Sequence, residues 1–382
     1  MAAVDGDEPN EPGRIAELAR LFLKLGVIGF GGPAAHIALM RNEVVRRRDW
    51  IDDAEFLDLV GATNLIPGPN STELAIHIGH RRAGARGLFV AGICFIAPAV
   101  VIVGVLAWLY ERYGTDPTAI DLRYGILPII IAIIAHALYG LGRTALTSAV
   151  NMFIAAAALG AYLLDVHELI ILASAGAVSA LWAGWPRVRG HALTLLAFPL
   201  AATTSPTAVS LRRLFLVFLE IGSVLYGSGY VLLAFLQRHL VDQRGWLTSQ
   251  QLLDAVAVGQ VTPGPVFTTA TFVGWQIDGA AGAAVATIGI FLPSFVFVAL
   301  LGRIVPWMRA RPVARAFLNG LTAASLGLMA AVLIDLADTA ITGVITAIVA
   351  LAALGALVRT NINATWLIGA GILIGVAHAL VT

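Results

Sequence analysis

The chain is 382 residues long, 59% hydrophobic and 12% charged, with a formal net charge of +1. A soluble domain carries about 25% charged residues. This composition, with a mean hydropathy of +0.86, therefore excludes a water-soluble enzyme and predicts an integral membrane protein in a lipid bilayer. The balanced charge leaves no basic surface for a nucleic acid, and the single cysteine, Cys94, excludes disulfides and cysteine metal sites.

Residues 1–14 are acidic and Pro-rich and lack the basic start of a signal peptide, so a short disordered tail is expected. Apolar segments predict helices over 15–47, 86–111, 122–142, 147–164 and 168–184, a first transmembrane repeat of 15–189. After a linker at 190–210, helices follow at 211–241, 280–307, 316–338, 340–358 and 362–381, a second repeat of 211–382. The stretch 190–205 is apolar but short, contains Pro199 and is assigned to the linker. Two further regions, 54–82 and 250–277, are broken at their centres by Pro67-Gly68-Pro69 and Pro263-Gly264-Pro265. Each arm is too short to cross a core that needs about 20 residues. A helical hairpin that enters the membrane and returns is expected for each.

The two halves are copies. An offset of 196 residues lays FLKLGVIGFGG (22–32) on FLEIGSVLYGS (218–228), and Arg48-Asp49-Trp50 on Arg244-Gly245-Trp246. It also lays one Pro-Gly-Pro on the other, and Thr72 on Thr268. Charges then orient the repeats. Arg41, Arg46, Arg47, Arg48, Arg81, Arg82, Arg86, Arg143, Arg187 and Arg189 fall on one side of the first half; Arg212, Arg213, Arg303, Arg309, Arg311, Arg315 and Arg359 fall on one side of the second. By the positive-inside rule both sides are cytoplasmic. With five spans and a non-crossing hairpin per half, the repeats must be antiparallel. The expected fold is thus an all-α membrane protein of two inverted repeats, about five transmembrane helices each plus a Pro-Gly-Pro hairpin, the plan of many secondary transporters.

Four segments bear on chemistry. Proline removes an N–H and glycine permits a turn, so Asn70, Ser71 or Thr72 is placed to cap the short helix after Pro69. A helix N-terminus there would offer N–H groups to an oxyanion. The second copy, Pro263-Gly264-Pro265 to Thr268, keeps the turn and loses the Asn-Ser pair. Gly31-Gly32-Pro33 interrupts the first long helix and Tyr226-Gly227-Ser228-Gly229 its counterpart, freeing backbone groups that membrane depth tolerates only inside protein or beside a wet cavity.

Three ionisable residues stand out because charge in a membrane is costly. Glu73 follows the first turn, while Lys24 and Glu220 occupy equivalent positions with opposite signs and are expected to pair across the pseudo-symmetry axis. Snorkelling of Lys24 to the interface is the bland alternative. Glu73, His77 and His80 share a helical face, but Thr269, Val273 and Gln276 stand at the matching positions, so neither a metal nor another cofactor is expected. His36 and His136 are single histidines on apolar helices, expected to be packed and hydrogen-bonded.

Asn64-Leu65-Ile66-Pro67-Gly68-Pro69, Phe30-Gly31-Gly32-Pro33 after Lys24-Leu25-Gly26, and the second Pro-Gly-Pro together resemble the chromate ion transporter family in its long, two-domain form. The resemblance covers nearly the whole chain. It implies a carrier of the bacterial inner membrane that exports chromate, with sulfate as competitor or exchange partner, driven by the proton-motive force or by anion exchange. On this reading the dianion sits where Gly31–Pro33, Asn64, Pro67–Thr72 and Pro263–Thr268 converge, Lys24 adds charge, and Glu73 or Glu220 couples protons. A sulfate or other oxyanion carrier, and a membrane enzyme acting on lipid head groups, are the rival readings. The enzyme lacks a visible acid, base or nucleophile set. A homodimer is compatible with the sequence.

Overall fold

A computed structural model describes residues 11–114, 116–184, 209–226, 231–309, 311–360 and 362–380. Most of the expected tail, the 190–205 stretch and Gly227-Ser228-Gly229 lie outside these. Among the described residues there are helices and no strand. In the first half these are α1 (Glu11–Ile28), α2 (Gly32–Arg41), a π-helical turn (Asn42–Arg47), α3 (Asp53–Thr63), α4 (Asn70–Tyr113), α5 (Pro117–Ala145), α6 (Ala149–Leu163) and α7 (Glu168–Gly184). The second half has α8 (Leu211–Val224), α9 (Leu232–Leu236), a π-helical turn (Gln237–Asp242) and α10 (Ser249–Val261). A 3-10 turn (Val266–Thr268), α11 (Thr269–Arg309), α12 (Pro312–Ala340), α13 (Val344–Arg359) and α14 (Ala364–Ala379) complete it. Helix α1 begins at Glu11, inside the segment expected as tail. Among the described residues four stretches, 70–113, 120–145, 266–301 and 312–340, are long and apolar enough to cross a membrane.

The two halves share their irregularities as well as their helices. Helix α4 breaks at Ala83-Gly84 and α11 at Asp278-Gly279, with nearly identical backbone angles, Gly84 at φ 58, ψ −148 and Gly279 at φ 54, ψ −147. Glycine alone visits that region readily. Beyond each break the chain returns on itself. A side chain on Gly79 would strike the Gly87 carbonyl, and one on Gly274 would strike that of Gly282, so the two arms meet backbone to backbone.

Packing interleaves the halves. Helix α1 lies on α4 and α8 on α11, while α4 and α11 pack on each other. Helix α5 of the first half packs on α13 and α14 of the second, and α12 packs on α6 and α7. The largest buried cluster accordingly draws residues from both halves, from Ile130 and Ile154 to Phe235, Phe272 and Leu328. Neither half buries its apolar faces without the other.

Each π-helical turn buries an ionisable side chain at the same repeat position, Glu43 in the first and His239 in the second, where Arg238 is buried as well. Glu43 is held by Lys24 Nζ at 2.9 Å, Arg47 Nη1 at 3.1 Å and Arg48. His239, 196 residues on, has its Nε2 2.7 Å from Glu168 Oε1. The expected pair between Lys24 and Glu220 is not formed, because Lys24 is half-exposed and turned onto Glu43, while Glu220 acts on Arg244. Burial raises the Glu43 carboxyl, but hydrogen bonds from Lys24 and Arg48 outweigh it and hold the group below the usual carboxylate range.

Candidate functional site

The first Pro-Gly-Pro connects α3, whose C-cap is Asn64, to α4, whose N-cap is Pro69. Gly68 has φ 134, and a side chain there would collide with the Glu73 carboxyl and stand 2.8 Å from Ser294 Oγ. The glycine therefore does two things: it makes the turn and leaves the space that Glu73 fills. The expected side-chain cap is absent, since the N-cap is proline and makes none. Instead the N–H groups of Thr72 and Glu73 both reach the Pro69 carbonyl, at 2.8 and 3.0 Å. Those of Asn70 and Ser71 have no acceptor within the helix, as helix geometry requires of a first turn.

The side chains of this turn are committed unequally. Asn70 Nδ2 donates to Asn64 Oδ1 at 2.6 Å, and Ser71 Oγ lies 3.2 Å from His36 Nδ1. Thr72 and Glu73 are wholly buried, and Thr72 Oγ1 and Glu73 Oε2 have no partner. Glu73 Oε1 is 3.5 Å from Ser294 Oγ. In the second copy the hydroxyls are turned back on the backbone, Thr268 Oγ1 donating to Pro265 O at 2.7 Å and Thr269 Oγ1 to Val266 O at 2.8 Å.

The helix breaks supply the other wall. Helix α1 ends at Ile28, Gly31 and Gly32 take φ 99 and φ 77, and Pro33 stands in the first turn of α2. The carbonyl oxygen of Gly29 is thereby released. It accepts the Gly264 N–H at 2.8 Å and lies 2.8 Å from His36 Nε2. In the other half the Leu225 carbonyl accepts the Gly68 N–H at 2.9 Å. Gly29 and Leu225 are 196 residues apart, as are Gly68 and Gly264. The glycine of each Pro-Gly-Pro is thus hydrogen-bonded to the helix break of the opposite half. Gly31, Pro67, Gly68, Pro69, Ser71, Pro263, Gly264 and Pro265 are drawn together by these links. Lys24, engaged by Glu43, and Glu220, beside Arg244, are not part of this group.

Beside the first turn lies a cavity of about 250 Å³, lined by Asn64, Asn70, Tyr226, Thr144, Thr322 and Ser325, with further apolar wall. The Tyr226 hydroxyl donates to the Asn64 carbonyl. Ser325 is buried and its Oγ has no partner. Sequence reading missed Thr144, Asn319, Thr322 and Ser325, which come from α5 and α12. They carry no Gly/Pro signal and no charge, and hydroxyls and amides on apolar helices are common. His36, expected to be packed and hydrogen-bonded, is buried and hydrogen-bonded on both ring nitrogens.

A family model described as chromate transporter matches the chain twice, over residues 16–180 and 212–376. The chain belongs to the chromate transporter family. Both ends of the two matches differ by 196 residues, the same offset that relates the two Pro-Gly-Pro turns. Curated relatives are similar over most of their length. The chromate transport protein of Cupriavidus metallidurans is 30% identical over 85% of this chain and 82% of its own, and that of Pseudomonas aeruginosa is 32% identical over 84% and 80%. An uncharacterized transporter of Methanocaldococcus jannaschii is 25% identical over 83% of each. No solved structure matches the chain. As a member of this family the protein is a transmembrane transporter.

Proposed function

We propose that this protein is a secondary transporter that exports chromate from the cytoplasm across the inner membrane, with sulfate as a competing dianion. The observation that carries the reading is the reciprocal pairing of Gly68 with Leu225 and of Gly264 with Gly29. It joins two short-helix turns and two helix breaks, related by one sequence offset, in the interior of an apolar protein. Broken helices meeting at a repeat interface are the usual substrate site of inverted-repeat carriers. The membership of a family whose named relatives are chromate transport proteins supplies the ion.

On this reading the Pro-Gly-Pro segments are hairpins that enter the membrane and return, in two antiparallel repeats of about five spans. The dianion is held by the Asn70 and Ser71 N–H groups, Thr72 Oγ1 and the Asn64 amide, at the edge of the cavity that Asn64, Asn70 and Ser325 line. Thr268 contributes less because its hydroxyl proton is spent on Pro265. Glu73 is the coupling group. A carboxylate buried without a cation costs several kcal/mol, and taking up a proton removes that cost. On the first arm of the second Pro-Gly-Pro segment, Asp254 Oδ2 accepts from Tyr110 OH at 2.6 Å and lies 3.1 Å from Arg123 Nε, which ties that arm to α4 and α5.

Everted vesicles test the reading directly. Protein-dependent accumulation of labelled chromate, inhibited by excess sulfate and collapsed by a protonophore, is the expected result. Accumulation of sulfate without chromate would make the protein a sulfate carrier, and accumulation of neither would remove the transport reading.

A further inference from the structure

A second cavity, of about 710 Å³, opens between the C-terminal part of α5 and the end of α13. Its wall includes His136, Tyr139, Arg143, Thr144, Arg359 and Thr360, and no acidic residue. Thr144 also lines the smaller cavity at the first Pro-Gly-Pro, so the two spaces share one wall residue. Among the described residues neither Arg143 nor Arg359 has a carboxylate partner, whereas Arg41, Arg48, Arg81, Arg123 and Arg238 each have one. Arg143 instead lies over the Tyr139 ring, 5.9 Å from its centroid. The imidazole of His136 adds a buried Nδ1 with no partner on the same wall.

We propose that this cavity is an anion-capture subsite. Arg143 and Arg359 take a tetrahedral dianion from solution and pass it by Thr144 to the chamber beside Asn64 and Ser325. The inference rests on the transport reading and deepens it. Two exposed guanidiniums on one concave wall, with no carboxylate among the lining residues, raise the local concentration of anions. A guanidinium offers paired N–H donors that match two oxygens of a tetrahedral oxyanion. The inner chamber carries amides and hydroxyls but no cation among its lining residues. Charge at the mouth and neutral donors within is the arrangement a carrier needs, because a dianion bound tightly by charge at the inner site would not leave.

The test is initial-rate kinetics in everted vesicles at several salt concentrations, for wild type, Arg143→Gln, Arg359→Gln, the double Gln variant and the double Lys variant. The double Gln variant is expected to raise KM for chromate about tenfold with Vmax retained, and to flatten the dependence of KM on ionic strength. The double Lys variant keeps the salt dependence and has an intermediate KM, because it keeps charge and loses the planar fork. Cysteine labelling confirms insertion and orientation for each variant. A correctly inserted double Gln variant with the wild-type KM and salt dependence would overturn the subsite. So would a loss of transport traced to inverted topology, since the arginines would then be topology anchors. Wild-type vesicles that accumulate neither chromate nor sulfate would instead sink the transport reading, which keeps the two failures apart.

Discussion

Ser71 and His36 form one hydrogen-bonded unit, Oγ to Nδ1 at 3.2 Å, and the far nitrogen of the ring lies 2.8 Å from the Gly29 carbonyl. A carbonyl can only accept, so Nε2 carries a hydrogen. In the neutral ring Nδ1 must then accept, and the Ser71 hydroxyl proton is committed to it. A proton added to the ring reverses the bond: Nδ1 donates, and the serine hydroxyl is free to turn elsewhere. The same Gly29 carbonyl accepts the Gly264 N–H, so the state of one imidazole bears on both halves.

This unequal commitment ranks the hydroxyls. Losing a hydrogen bond to a charged group costs about 1.5–3 kcal/mol, or roughly ten- to hundredfold in affinity. Thr72→Val should weaken chromate binding by that factor at neutral pH. Ser71→Ala should cost less there and more as the pH is lowered. Thr268→Val should have little effect, its hydroxyl already serving Pro265. Binding isotherms on purified protein at two pH values measure all three, and equal affinities throughout would mean that the turn only shapes the backbone.

Glu73→Gln keeps the shape of the side chain and removes the titrating group. Chromate binding should persist, while the response of transport to an imposed pH gradient disappears. Flux assays with and without the gradient read this out, and a still-coupled variant would transfer the coupling role to another group.

Gly68→Ala meets two obstacles, a φ of 134 that costs of order 1–3 kcal/mol for a side chain and a collision with the Glu73 carboxyl. It should abolish transport and lower the melting temperature. The Gly68→Ala/Glu73→Ala double variant relieves the collision and leaves the strain, so it should recover part of the stability and none of the coupling. Thermal unfolding in detergent separates the two contributions; an undisturbed Gly68→Ala would show that the turn yields freely.

Glu43 gathers Lys24, Arg47 and Arg48, so Glu43→Ala should lower the melting temperature more than Lys24→Ala. Its carboxyl lies below the ordinary range, so it is ionised more readily in the folded protein than in the unfolded chain. The stabilisation is therefore complete above the unfolded-state pKa and is lost as pH falls through the lower, folded-state value. Melting curves between pH 3 and 7 should show a wild-type loss that Glu43→Ala does not share. Because Lys24 does not touch Glu220, the Lys24→Ala and Glu220→Ala defects should add; a double variant better than Lys24→Ala alone would restore the pair expected from sequence.

Antiparallel repeats require the two π-helical turns to face opposite sides. In a Cys94→Ser background, single cysteines in 41–53 should label from the cytoplasm and those in 237–248 from outside. Labelling of both from one side would make the repeats parallel.

Composition alone made this a membrane protein, because 12% charge leaves too little polar surface for water. The 196-residue repeat, the two Pro-Gly-Pro turns and the helix breaks were legible too, since glycine and proline act through local backbone constraints that need no partner. Helices α4 and α11 break near 83 and 278, where the sequence reading ended one apolar segment and began the next, while the helices expected over 15–47 and 211–241 stop at Ile28 and Val224. Partners were not legible. That Gly68 reaches Leu225 depends on how one half packs into the other, that Lys24 chooses Glu43 on how the chain folds back after α1, and that Thr144 and Ser325 line the cavity beside the first turn on how α5 and α12 are placed. Equivalent positions invited a Lys24–Glu220 pair, but pseudo-symmetry relates residues without bringing them into contact. Only the packing of one half into the other decides which released carbonyl meets which N–H, and which hydroxyl is left without a partner.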